Sequence, residues 1–378
     1  MKIAVIGCGY WGPNLIRNYV QSNKVEQVIC CDLDKKRLDR MENLYPSVEV
    51  LSDYKALFDR SDVDGVAIAT PVKTHHPLAK EFLLNGKHVF IEKPLTHSYE
   101  TAAELVKLSE EKERVLMVGH TFEYTAAVNK VKTLVENGEL GKILYISSTR
   151  VNLGLFQQDI NVVWDLAPHD ISTILYILGE TPVSVNCQGR AHFHEGIEDV
   201  ATTTLNFKSG VIAFIHNSWL DPNKIRKTTI VGSKKMLVYD DIESQEKIKI
   251  YDKGVDVPPY YDTYADFQFS YRYGDIHSPR IDDHEPLRKE CDHFIACIQN
   301  GMRPLSDGYS GLRVVSILEA ANKSLSVAGK AVPTNGLKLA AKRMRINGNG
   351  NGKAIGNGNG NGIGKANGNA FMMASTWR

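Results

Sequence analysis

Lys2-Ile3-Ala4-Val5-Ile6-Gly7-Cys8-Gly9-Tyr10-Trp11-Gly12 is the stretch whose reading decides the fold. A short β-branched run leads straight into a G-x-G-x-x-G sequence, and residues 13–20 continue as a helix opened by Pro13, where the missing N–H costs nothing. Strand, glycine turn and helix in that order mark the start of a dinucleotide-binding unit. The glycines permit a tight turn and let a pyrophosphate approach the backbone N–H groups at the helix start. Asp32 lies 20 residues beyond Gly12, at the end of a second strand over 25–31. A carboxylate there accepts from the adenosine ribose hydroxyls and repels a 2′-phosphate. The spacing therefore predicts NAD, with NADP disfavoured, bound by Gly7, Gly9, Tyr10, Trp11, Gly12 and Asp32.

Further compact apolar runs at 63–69, 89–91 and 115–118 alternate with amphipathic helices such as 78–85, closed by Gly86. Runs this short suit strands buried on both faces, and the alternation predicts a doubly wound parallel sheet over residues 1–122. Thr70 and Pro71 end the fourth strand on the side where a cofactor lies. His75 and His76 head the next helix, as ligands or as polar residues of a solvated helix start. Glu92-Lys93-Pro94 ends the fifth strand. Lys93 at that carboxyl end faces the crevice, where its ammonium can stabilise negative charge on a substrate oxygen. A cis Lys93–Pro94 bond is compatible with the sequence, although the tripeptide alone also reads as an ordinary turn.

The pattern changes near residue 123. A helix at about 125–136 precedes strands at Ile143–Val151, 183–191, 200–207, 211–219, 228–231 and 247–251, with helices at 169–178, 284–300 and 309–328. Strands joined by short turns predict an α+β substrate and oligomerisation domain over 123–335, with a large, mostly antiparallel open sheet. Asp165-Leu166-Ala167-Pro168-His169 reads as the opening of a helix, with Pro168 in its first turn and Asp165 placed to orient the His169 imidazole. His169 is then a general base for an alcohol proton, or else a packed histidine behind a capping aspartate. His120, Arg150 and Asn152 are candidate substrate contacts, with ordinary polar packing as the alternative.

A formal net charge of +1 gives no electrostatic reason to expect nucleic acid or an anionic membrane as partner. No apolar run approaches the length of a membrane span, and glycines 7, 9 and 12 cut short the one N-terminal run resembling a signal peptide. Six scattered cysteines without paired C-x-x-C units predict reduced thiols and a cytoplasmic protein. His192-Phe193-His194-Glu195 places two histidines on one strand face, and Cys291, His293 and Cys297 share a helix. Neither set has a metal-site spacing, so no metal is expected. From Asn347 to about Ala370 the chain reduces to Asn-Gly repeats. The segment 336–378 is expected to be a disordered tail.

Taken in order, the glycine fingerprint, Thr70-Pro71 with His75, Gly86-Lys87-His88-Val89 leading to Glu92-Lys93-Pro94, and Asp165 with His169 resemble the glucose–fructose oxidoreductase/inositol dehydrogenase (Gfo/Idh/MocA) family. The resemblance covers about residues 1–333. It implies a Rossmann domain, a second domain whose open sheet mediates homo-oligomers (dimers or tetramers), a lysine at Lys93 contacting nicotinamide and substrate, and an acid/base at His169. Gly9-Tyr10-Trp11-Gly12-Pro13-Asn14, Trp164-Asp165-Leu166-Ala167-Pro168-His169-Asp170 and Gly274-Asp275-Ile276-His277-Ser278-Pro279 look like members of nucleotide-sugar pathways. These include UDP-N-acetylglucosaminuronate 3-dehydrogenases and 3-ketoreductases. The usual family pattern has glycine between the aspartate and histidine and an aspartate three residues past the histidine. Here Ala167 and Ser172 stand at those places. Inositol or free-sugar dehydrogenation, or NAD sensing without catalysis, are the alternatives.

Overall fold

Six short strands, β1 (Lys2–Ile6), β2 (Gln27–Cys31), β3 (Glu49–Leu51), β4 (Gly65–Ile68), β5 (His88–Glu92) and β6 (Leu116–Gly119), form an all-parallel sheet in the order 3-2-1-4-5-6. The computed structural model describes residues 1–256, 270–282 and 284–334. The Asn-Gly-rich tail expected over 336–378 lies outside the described residues. Helices α1 (Gly12–Val20), α2 (Lys35–Leu44), α3 (His75–Leu84) and α4 (Tyr99–Glu111) make the crossovers. Apolar side chains cover both faces: Ile6, Ile29, Ile68 and Ile91 pack on one, Ile3, Val5, Cys30 and Phe90 on the other. This double burial explains why the strands read as unbroken apolar runs. The strand order reverses between β1 and β4, the place where an open α/β sheet leaves a crevice at its carboxyl edge.

Beyond α5 (Ala126–Glu136) lies a second sheet of nine strands. In chain order these are β7 (Ile143–Val151), β8 (Ser184–Arg190), β9 (Val200–Asn206), β10 (Ile212–Ser218), β11 (Ile225–Gly232), β12 (Met236–Asp240), β13 (Ile248–Asp256), β14 (Ser270–His277) and β15 (Val332–Pro333). Their spatial order is 14-13-12-11-7-10-9-8-15, antiparallel throughout except for the β7–β10 pair. Strands β12, β14 and β15 escaped the sequence reading. Only one face is covered by helices α6 (Val162–Leu178) and α8 (Gly308–Ser326), so Tyr145 and Phe214 on the other remain exposed and in edge-to-face contact at 6.4 Å. Helix α7 (Pro286–Asn300), placed by sequence with the second sheet, packs Leu287, Cys291, Phe294 and Ile295 against the first. Among the described residues, no helix is long and apolar enough to cross a membrane.

Helix α6 corrects the sequence reading most. It starts at Val162, capped by the Asn161 side chain accepting from Trp164 N–H at 3.1 Å, and ends at Gly179 with φ of +63°. Pro168 is therefore an interior residue, not a first-turn one. The Asn161 cap, absent from the prediction, adds a turn before the proline. A buried ion pair fixes α6 to the sheet. Arg150 Nε donates to both oxygens of Asp170, at 3.2 and 3.0 Å, and Asp170 also accepts from Ser148 at 3.0 Å and Asn217 at 3.3 Å. Arg150 and Asp170 side chains are 8% and 4% exposed. Removing one partner of such a pair leaves an uncompensated buried charge, so Asp170→Ala is expected to lower stability by about 3–5 kcal/mol in denaturant unfolding.

Candidate active site

The glycine turn after β1 shows directly why it needs glycine. Gly7 sits at φ +96°, and a Cβ on Gly12 would lie 1.9 Å from the Gly7 carbonyl oxygen. No larger residue fits at either place. Gly7, Gly9, Tyr10, Trp11, Asp32, Thr70 and Pro71 line one cavity of about 770 Å³ together with Leu33, Arg37 and Leu78. Asp32 ties the loop down: it accepts from Cys8 N–H at 2.7 Å and from Asp34 N–H at 2.8 Å. Arg37 Nη1 lies 3.4 Å from its carboxylate, a neighbour the sequence reading missed. The closed Gly7–Gly12 turn, the cavity it lines and the carboxylate at the tip of β2 fit a dinucleotide. Gly12 serves by closing the turn and is buried beneath it.

His75 does not join this lining. Its ring is buried, with Nε2 at 2.8 Å from the Thr70 carbonyl and Nδ1 at 3.0 Å from that of Pro94. It braces the turns after β4 and β5 against each other and has no nitrogen left for a cofactor. His76 pairs instead with Glu104 at 2.7 Å.

At the end of β5 the Lys93–Pro94 bond is cis, and Lys93 Nζ donates to the Asp165 carbonyl at 3.1 Å. Pro168 has no N–H for the Trp164 carbonyl one turn back, and the neighbouring Asp165 carbonyl receives the ammonium. Burial pulls the Lys93 pKa below its ordinary value, opposed by Asp165 and Glu92 and reinforced by Arg150. The Asp165 carboxylate does not orient His169. It accepts from Trp219 Nε1 at 2.9 Å, while His169 Nδ1 is buried without a partner. The helix points the two side chains toward different neighbours, and a tryptophan at the end of β10 reaches Asp165 first. Burial, with Lys93, Arg150, His120 and Arg226 nearby, drives the His169 pKa well below the usual imidazole value. The His169 imidazole is therefore neutral at pH 7.

The other candidates fall into place around it. Phe122 stands between His169, at 5.1 Å between ring centroids, and the Arg150 guanidinium, 4.6 Å from its ring. Arg150 is thus a packed, ion-paired residue rather than a free substrate contact. Asn152 lies where β7 ends, its N–H on the Ser218 carbonyl at 3.2 Å. His120 is 1% exposed with both ring nitrogens unpartnered, its pKa pushed down to about 3 by burial and by Arg313 and Lys93.

Behind Lys93 lies a set of buried acids that the sequence reading did not assemble. Burial lifts Glu92 to about 7 against the pull of Lys93 and a hydrogen bond from Trp11, and lifts Glu123 to about 8 against Arg313. Glu290, on α7, accepts from Thr121 at 2.7 Å and is also raised, by burial and then by Glu92. Only Glu92 had a sequence signal. Glu123 and Glu290 lie far apart in the chain and carry no motif.

In the two other histidine sets, His192 and His293 each meet a protein group. His192 and His194 lie in the loop after β8, not on a strand, and His192 Nδ1 meets Asp199 at 2.7 Å. His293 Nε2 accepts from Leu305 N–H at 3.0 Å, and Cys291 and Cys297 are buried.

Residues 1–120 match the Gfo/Idh/MocA oxidoreductase family, NAD-binding Rossmann fold, and residues 128–238 match that family's C-terminal domain. The chain belongs to the Gfo/Idh/MocA family. It is an NAD-binding oxidoreductase of the dehydrogenase class. An uncharacterized oxidoreductase, YrbE, of Bacillus subtilis is 28% identical over 57% of this chain and 66% of its own length, just short of two thirds. The scyllo-inositol 2-dehydrogenase (NAD(+)) of the same organism is 26% identical over 81% of this chain and 88% of that one. UDP-N-acetylglucosamine 3-dehydrogenase of Acidithiobacillus ferrooxidans is 25% identical over 84% of this chain and 94% of its own. A solved structure of that enzyme superposes with a TM-score of 0.71 at 23% identity, covering 86% of this chain and 98% of that one.

A carboxyl whose pKa is higher in the folded than in the unfolded chain costs stability as pH rises between the two values. For Glu123 that window runs from an unfolded value of about 4.3 to about 8. Glu123→Gln is expected to melt above the wild type at pH 8, the gain shrinking toward pH 5. A constant difference across that range would contradict the buried-acid assignment.

Proposed function

We propose that the protein moves a hydride between NAD and a sugar hydroxyl or ketone, at C3 of a nucleotide-linked pyranose of the UDP-N-acetylglucosaminuronate type. The observation that carries the chemistry is the meeting of Lys93 with the turn of α6 bearing Asp165 and His169, through the Lys93–Asp165 carbonyl bond of 3.1 Å. When bound, NAD takes or returns the hydride at its nicotinamide. The cavity at Gly7, Gly9 and Asp32 would hold its pyrophosphate and adenosine ribose, and Glu92 and Lys93 lie toward its nicotinamide. His169, neutral at pH 7, takes the hydroxyl proton. The Lys93 ammonium stabilises the oxygen as alkoxide character grows. Asp165 keeps the Trp219 indole and the start of α6 in place, and Asn152 and His120 lie toward the sugar. A positioned base contributes about 10²–10⁴ in rate.

The Trp164–Asp170 variant of the catalytic motif and the likeness to UDP-N-acetylglucosamine 3-dehydrogenase support a nucleotide-linked substrate. A free polyol is the second reading, supported by the likeness to scyllo-inositol 2-dehydrogenase. A silent NAD sensor would have no use for Lys93 and His169 together. We place the protein in the cytoplasm on its six free cysteines. We read the open face of the nine-stranded sheet as a contact between copies, on its exposed Tyr145 and Phe214. The proposed division into a 1–122 cofactor domain and a 123–335 substrate domain follows the two sheets, with α7 reaching back across it.

NADH fluorescence across UDP-, dTDP- and GDP-sugars, inositol and glucose, with NAD and NADP in parallel, tests this reading. Reduction of NAD by one nucleotide sugar is expected, and turnover of free polyols alone would replace it with the second reading. With the substrate found, His169→Ala and Lys93→Ala should each lose about 10²–10⁴ in kcat. The acid limb of kcat/KM should fall below the ordinary histidine value of about 6.5.

A further inference from the structure

The loop joining β8 to β9 sits at a particular end of the nine-stranded sheet. Register pairs Arg190 with Val200, Val200 with Ser218 and Ser218 with Val151. That end therefore also carries the chain entering α6 from β7 and the turn after β10. These are the segments holding Asn152 and Trp219 beside the catalytic helix.

Buried Asp199 builds the loop. One oxygen accepts from His192 N–H at 2.7 Å, the other meets His192 Nδ1 at 2.7 Å, and its carbonyl accepts from Trp219 N–H at 2.9 Å. A turn between His194 and Ile197, closed by their 3.0 Å bond, completes it. Held in this way, the loop presents Phe193 with 64% of its surface exposed. Phe193 is not an isolated aromatic. Its ring lies 5.2 Å edge-on to Phe156, Phe156 lies 5.6 Å from Trp219, and Trp219 donates to Asp165 at 2.9 Å. Three contacts thus carry from α6 out to an exposed ring. Leu155, 83% exposed, extends the apolar surface beside it. Arg190 and Lys224, both exposed at the same end of the sheet, join no ion pair among the described residues.

We propose that Phe193 is the stacking platform for the base of a nucleoside diphosphate-linked substrate, with Arg190 and Lys224 facing the diphosphate. The inference rests on the nucleotide-sugar reading above and adds the place where the nucleotide lies. An apolar ring held edge-on by its neighbours keeps a face free for a planar base, and every base has such a face. Free inositol or glucose would leave this ring untouched.

Binding of UDP and of dTDP to the NAD-loaded full chain, measured calorimetrically, tests the assignment against Phe193→Ala and Phe193→Trp. The alanine variant should weaken the better ligand about 5- to 150-fold, the usual range for loss of one base–aromatic stack. The tryptophan variant should restore binding, and NAD affinity should stay at the wild-type value. With the matching nucleotide sugar, Phe193→Ala should raise KM by a similar factor and leave kcat at saturation near wild type. Turnover of a nucleotide sugar with KM unchanged in Phe193→Ala would overturn the stacking site and leave the substrate reading standing. Failure of the wild type to bind either nucleotide, with turnover of free polyols only, would overturn both. A change in subunit number without a change in nucleotide affinity would make Phe193 a contact between copies and likewise overturn the site.

Discussion

Asp170 ties helix α6 to the sheet beneath it. One carboxylate, 4% exposed, accepts from Arg150 and Ser148 on β7 and from Asn217 on β10, the one parallel pair in the second sheet. A buried carboxylate is tolerable only when its oxygens are satisfied, so these bonds fix both the rotation and the height of α6. His169 precedes Asp170 by one residue and inherits that placement. So does Asp165, a turn earlier, whose carbonyl receives Lys93 from the other sheet. Lys93 and His169, 76 positions apart in the chain, are thus brought to one place with the help of the Arg150–Asp170 ion pair.

Water exclusion sets the electrical character of this meeting point. Lys93, His120 and His169 all have their charged forms disfavoured by burial, and each is further lowered by a cationic neighbour. Behind them Glu92, Glu123 and Glu290 are raised by burial. Clustered cations alone would repel a proton from His169 but would also strain the fold. Glu92 and Glu123, which take up protons near neutrality, let the local charge adjust. In the proposed reaction, a base with a low pKa would accept a proton readily only as the alcohol becomes acidic, which would couple the proton and hydride movements.

The cofactor half was legible because backbone geometry dictates it. Gly7 and Gly12 are required by a positive φ and a 1.9 Å approach, and requirements of that kind leave fixed spacings in sequence. Helix α6 was legible only in part. The proline at 168 looked like a helix start because proline is tolerated there, and the true start depended on Asn161, whose side chain also bonds Glu198 and Asn322 at 2.9 and 3.1 Å. Asp165 and His169 looked like partners because they stand four positions apart. A tryptophan 54 positions later took the carboxylate. Arg150 looked available because its charge is visible in sequence, whereas Asp170's claim on it is tertiary. Strand β14 escaped because its residues are mostly exposed and carry little apolar alternation.

The same contrast explains why cofactor is easier to read than substrate. Dinucleotide recognition rests on main-chain N–H groups and one carboxylate, so it tolerates little variation and keeps its motif. On the proposed reading, substrate recognition would rest on side chains from three separate connections: that from β7 to α6, that from β8 to β9, and that after β10. Each connection is anchored by its own bond, Asn161 to Glu198, Asp199 to His192 and Trp219 to Asp165. Residues between the anchors do not carry the bonds that hold α6. A single scaffold can therefore hold NAD, a lysine and a histidine constant while the exposed ring or charge that meets the rest of the substrate is exchanged. Relatives that act on inositol and on nucleotide sugars, at nearly equal distance from this chain, are what such a separation produces.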